Sequence, residues 1–210
     1  MNQRLQNLLD GHVYPMMQDE RYTLRPILVI QSTETIIEEW NIMTEHQLSL
    51  SHFYAGWDAY QQHLAAAIAP LTAEQLALRP SPHNWSVGMI VTHIVAARAW
   101  WFYTRMGERS VDLAAFDLWD YGVCEEGVDP LHTAAELAAG LEITWQAIQN
   151  TLARLTPADL EQTFPHPKGG DRPVRSRQWI IWHVLEHDIH HGGELSSILG
   201  AHGLAAVDLD

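Results

Sequence analysis

The chain has 210 residues, 47% of them hydrophobic, and carries 12 Lys and Arg against 26 Asp and Glu, a formal charge of −14. That balance, with no block of Lys or Arg, argues against a nucleic-acid ligand. The single Cys124 excludes an intramolecular disulfide, and no apolar run approaches the ~20 residues of a membrane span.

The first thirty residues lack a basic segment followed by an apolar core and a small-residue cleavage site, so a cytoplasmic protein is expected. Residues 1–46 contain one short β-like run, Ile27 to Ile30, and no helical stripe. They read as an N-terminal extension of unknown role, either a real appendage or the product of a start upstream of Met43. Residues 47–210 read as one domain.

From there the pattern is helical. Phe53, Trp57, Tyr60, Leu64 and Ile68 fall on one face of a first helix that Pro70 closes. Ser86 can cap a second, carrying Met89, Ile90, His93, Ala97, Trp100 and Trp101 and ending at Gly107. Its two arginines, Arg98 and Arg105, are candidates for gripping an acidic substrate or cofactor. Cys124, in "GVCEEG" within the long link 107–132, has two glutamates beside it that disfavour a thiolate. Thr133 and Glu136 make a capping-box pair before the stripe Leu137, Leu141, Trp145, Ile148, Leu152 and Leu155, which Pro157 stops. The Pro- and Gly-rich link 156–174 reads as an irregular loop. A fourth helix spans about Arg175 to Leu199, ended by Gly200. Four amphipathic helices predict an all-α four-helix bundle. The link between helices two and three is long enough to return along a ~30 Å helix, which lets those two run parallel.

The fourth helix contains "WHVLEHDIHHGG". At ~100° per residue, Ile181, Val184, Leu185, Gly192, Leu195 and Leu199 form its core face, and Asp188 turns inward as well. His187 and His191, four apart, stack on one edge of that face, while His183, His190 and Glu186 point toward solvent. An inward histidine such as His93 is, taken alone, better explained by a hydrogen-bonded core residue than by a ligand. Together with His187 and His191 it offers three neutral imidazoles from two helices, the donor set of an open metal site. Glu194, next to His191 on the helix surface, is a candidate for orienting a ligand or moving a proton, or else a solvated carboxylate.

The stretches "NWSVGMIVTHIVAARAWW" and "WHVLEHDIHHGGELSSILGAHGL", with "FYAGWDAYQQHLAAAIAPLTAEQLALRP" before them, resemble the DinB/YfiT-like superfamily over about residues 50–206. The resemblance implies up-down-down-up topology and a divalent metal held by His93, His187 and His191. It also suggests thiol-dependent transferases and isomerases, in which a small thiol such as bacillithiol, mycothiol or glutathione attacks an electrophilic small molecule. Many members have Arg-Gly after the last ligand, where this chain has Gly192-Gly193. Three classes of function stand: a metal-dependent enzyme of thiol S-transferase, isomerase or hydrolase type; a non-catalytic metal-binding bundle for stress response or interaction; and a metal-free bundle with structural histidines. Zinc, nickel, manganese and iron all suit three imidazoles. A small-molecule substrate is expected, and a homodimer, because nine tryptophans on bundle faces leave apolar surface to cover.

Overall fold

A computed structural model describes residues 50–109, 111–119 and 132–207. The extension 1–46, with Ile27–Ile30 and Met43, lies outside the described residues, as does Cys124. The helices are α1 (Ala55–Ile68), α2 (Ala73–Leu76), α3 (Val87–Ala99), α4 (Val111–Ala114), α5 (Ala134–Arg154) and α6 (Arg177–Ala201). Of these, α2 and α4 are single turns, and α3 runs on into a π-helical segment, Trp100–Arg105.

Three of the four long helices start on a hydroxyl that accepts an otherwise unpaired backbone N–H: Ser86 from Met89, Thr133 from Glu136 and Ser176 from Trp179. At Thr133 the Glu136 carboxylate also accepts from the cap's own N–H at 2.7 Å, completing the capping box.

Side-chain and backbone contacts fix the direction of each helix. Leu50 N–H donates to the Leu155 carbonyl, and further along Asp58 accepts from Trp145 and Gln149, so α1 and α5 are antiparallel. In α3 and α5, Val95 lies against Gly140 and Arg98 reaches Leu141 and Thr144, so those two run parallel. His93 meets His187 and His191 while Trp101 meets Trp179, which makes α3 and α6 antiparallel. Together these relations give an up-down-down-up bundle. Its interior is filled by residues such as Leu64, Ile68, Ile94, Leu141, Ile148, Ile180 and Leu195. No described helix is long and apolar enough to cross a membrane.

Four local expectations need correction. Phe53 is 83% exposed and precedes α1, whose first buried residue is Trp57. The link 156–174 is not wholly irregular: a 3-10 turn covers Pro157–Glu161, and Thr163–Phe164 (β1) pairs antiparallel with Arg175–Ser176 (β2). The fourth helix therefore begins at Arg177, because Arg175 and Ser176 are used by the hairpin and the cap. It also runs through Gly200 to Ala201, and the left-handed residue after it is Gly203, with φ of 69°.

Candidate metal centre

One buried polar node sets the rotation of α6, and with it the direction in which the histidines point. The Asp188 carboxylate accepts from the Trp57 indole at 2.8 Å and from Arg98 Nε and Nη2, the latter at 2.8 Å. The remaining Arg98 nitrogen donates to Gln61 Oε1 at 2.8 Å and to the Leu141 carbonyl at 3.1 Å. Residues of all four long helices thus meet in one charge-paired cluster, with Arg98 and Asp188 fully buried. Arg98 is therefore not a substrate grip: its guanidinium is saturated inside the core, with no face left for a ligand. Asp188 turns inward as expected, and its partner on α3 is that arginine.

With Asp188 anchored, the flanking His187 and His191 turn toward α3. His187 Nε2 lies 2.9 Å from His93 Nε2, and the ring centroids of His191 are 5.0 Å from His93 and 4.4 Å from His187. One nitrogen from each of the three rings falls within 4.8 Å of the others. Burial, reinforced by the neighbouring His191 and His93, pushes His187 down to about 2, so it is neutral across the physiological range. Burial also lowers His191, against the raising effect of Glu194. Glu194 Oε2 accepts from His191 Nδ1 at 2.7 Å, which leaves Nε2 as the nitrogen free to coordinate. Neutral imidazoles of the borderline type zinc, nickel and iron accept, one with a carboxylate behind it, fit a divalent cation.

A second group, His190, His191 and Glu194, also brings donor atoms within 4.8 Å of one another. It shares His191, and its other members lie toward solvent: the His190 side chain is 69% exposed. His183 is less solvated than the helical wheel predicts. It stacks on Trp179 at 4.6 Å and meets Trp101 edge-on at 4.8 Å, because those two rings partly cover it from α6 and from the π-helical segment. Its nearest polar partner is Glu186 at 2.9 Å, and its ring is 6.1 Å from that of His187.

Beside the triad a cleft of about 490 Å³ is lined by Trp85, Ile90, His191, Glu194, Ser197 and Ile198 among others. Trp85 lies edge-on to His93 at 4.9 Å and stacks against His191 at 6.1 Å. Sequence reasoning missed Trp85, although it stands directly before the Ser86 cap, where a helix entry brings it beside the first turns of α3. Arg105 lies at the far end of α3, its Nη2 donating to the Pro173 carbonyl at 2.7 Å, away from this cleft.

Gly192 follows His191 for a steric reason. A Cβ there would stand 1.8 Å from the Tyr60 hydroxyl, which donates to the Asp188 carbonyl at 3.0 Å. Burial and the Asp188 carboxylate hold that phenol up at about 12. The space an arginine would need after His191 is thus taken by Tyr60. Gly192→Ala should cost about 1–3 kcal/mol by overpacking. In a Tyr60→Leu background the same change should cost clearly less, and chemical denaturation of the four proteins measures the coupling.

Residues 53–195, more than half of the chain, match the family model described as the DinB superfamily. A protein of Bacillus mycoides (strain KBAB4) bearing the name "putative metal-dependent hydrolase" is 25% identical over 179 residues, which is 83% of this chain and 94% of that protein. Among solved structures, a DinB-like protein from Bacillus cereus ATCC 10987 superposes with a TM-score of 0.60 at 19% identity, covering 78% of this chain and 99% of its own. A DinB-like protein from Bacillus subtilis gives a TM-score of 0.50 at 16% identity, covering 76% and 95%. With the matched region spanning the bundle and all three histidines inside it, the chain belongs to the DinB superfamily.

Proposed function

We propose that the protein is a metal-dependent enzyme acting on a small electrophilic molecule, with His93, His187 and His191 holding a divalent cation. The hydrolase and thiol S-transferase or isomerase chemistries are its candidate reactions. The observation that carries this reading is the convergence of three imidazole nitrogens, one of which, that of His191, belongs to the lining of a cleft large enough for a small molecule. A cation bound there would supply Lewis acidity, lowering the pKa of a water or thiol at its open position. The protein's own groups do the rest. Glu194 holds His191 in the tautomer that presents Nε2, and it lines the cleft, where it can accept a proton from a nucleophile. Trp85, Ile90 and Ile198 supply apolar walls against which a substrate can be oriented and partly desolvated. A low-molecular-weight thiol is the proposed second substrate for the transferase form, and the name of the Bacillus mycoides relative favours hydrolysis. The apolar face bearing Phe53, Trp182 and Ile189 is the proposed surface for a homodimer.

The test is a panel of ester, amide and thiol-conjugation assays on protein loaded with zinc, nickel, manganese or iron. Turnover should vanish after chelation and return with metal. Glu194→Gln keeps one carbonyl acceptor for His191 but removes the base, so it should lower kcat by ~10²-fold or more while metal stays bound. A metal-loaded protein that is inert across both reaction classes would argue for a binding role instead.

A further inference from the structure

The basic residues of this acidic chain are unevenly placed. Lys168, Arg172 and Arg175 lie in or beside the hairpin loop that precedes α6, and Arg105 lies beneath it. Arg105 is only 4% exposed, yet two of its three nitrogens, Nε and Nη1, are buried without any hydrogen-bond acceptor. Its third contact, Nη2 to the Pro173 carbonyl, points the guanidinium fork under the loop. A buried guanidinium with unmet donors is costly, and it cannot relieve the cost by losing its proton.

The surroundings supply more positive charge. Burial, and then Arg175, push Arg105 below its ordinary value. His166 is lowered by burial, then by Arg172, Arg105 and Lys168, and Arg172 approaches its ring nitrogen to 3.5 Å. Among the described residues, no carboxylate pairs with Arg105, Lys168, Arg172 or Arg175. The nearby Glu108 is taken by Arg154 at 2.8 Å and lies 4.0 Å from Arg177. Aromatic rings flank the cluster: Arg175 sits 4.1 Å over Trp179, and His166 lies 5.8 Å from Trp100.

We propose that Arg105, Arg175 and His166 form a binding site for the oxyanion group, carboxylate or phosphate, of a small molecule, closed by the loop 165–174. Arg105 Nε and Nη1 are left to donate charge-assisted hydrogen bonds to the oxygens of such a group. Trp100, 5.8 Å from His166, offers apolar surface for the rest of the ligand. Arg105 is twelve positions after His93 along the same helix, so the site lies on the order of 15 Å from the triad. None of its residues is a proposed metal ligand, and the site stands apart from the metal reading. The exposed loop, with Gly169 and Gly170 at its turn, is the part that must lift to admit the anion.

The experiment uses the full-length protein, with thermal unfolding and tryptophan fluorescence followed in inorganic phosphate, in succinate, and in chloride at matched ionic strength. Phosphate or succinate should raise the melting temperature and change the fluorescence beyond the effect of chloride, and the anion that does so identifies the ligand's group. Arg105→Met should abolish the response without lowering the melting temperature in anion-free buffer, since it removes an unsatisfied buried charge. Arg175→Gln should weaken the apparent affinity by about tenfold or more, and it decides the matter if the first variant does not fold. Arg79→Gln, in the connector between α2 and α3, should leave the response unchanged. A wild type that responds no more to either oxyanion than to chloride overturns the proposal, as does Arg105→Met retaining the full shift.

Discussion

His187→Ala and His191→Ala are expected to weaken divalent-metal binding by more than ~100-fold, while His183→Ala and His190→Ala keep about one ion per chain. The first pair flanks the anchored Asp188 and faces His93, with the His187 and His93 Nε2 atoms 2.9 Å apart. His183 is held in an aromatic stack against Trp179, and His190 stands largely in solvent. Replacing a ligand removes one of three protein donors, a larger loss than the 10–100-fold typical of an outer partner. Metal content after dialysis, with calorimetric titration of the stripped proteins, reads the difference. If His190→Ala empties the protein while His187→Ala does not, the ion belongs to the exposed His190, His191, Glu194 group and the triad assignment fails. Loss in both variants would also count against the triad, because His190 is no member of it.

Arg98→Met is expected to destabilise the bundle by about 3–5 kcal/mol, because it leaves the Asp188 carboxylate buried without its charge partner. Asp188→Leu should cost about as much, stranding both the guanidinium and the Trp57 indole. The double variant should recover a large part of the loss, since an apolar pair of similar volume removes both desolvation costs. Urea denaturation of the four proteins gives the interaction energy. Additive losses would show that the two residues act separately and that the node does not set the rotation of α6. In the single variants, metal affinity measured well below the melting temperature should also fall, because the turn between His187 and His191 loses its anchor to α1 and α3.

The parts of this molecule legible from sequence are those governed by local chemistry. Ser86 and the Thr133–Glu136 box announce helix starts because a hydroxyl accepting a backbone N–H needs only its own first turn. The triad was legible through a four-residue spacing on one helix and an inward histidine on another. What escaped depends on partners remote in sequence. Arg98 looks like a surface grip until Asp188, ninety positions later, is seen beside it in the core. His183 falls on the outer side of a helical wheel, and Trp101, from the π-helical segment, together with Trp179 partly shields it from water. The β1–β2 pairing involves two residues on each side, too few to produce an alternating pattern. Arg105 shows the same limit: its unmet donors exist only because the hairpin folds over it.

The up-down-down-up order has a consequence for how the chain is made. The polar node joins Trp57 and Arg98 to Asp188 across separations of 131 and 90 residues. During synthesis α1, α3 and α5 therefore emerge while Arg98 still lacks its counter-charge and the groove that α6 fills is open. Such long-range closure is slow compared with helix formation, and it leaves apolar faces uncovered in the meantime. The nascent protein is thus expected to remain a loose three-helix intermediate, a natural client for chaperones, until residue 188 clears the ribosome. The cluster of His93, His187 and His191, completed by the same stretch of α6, can form only after that event.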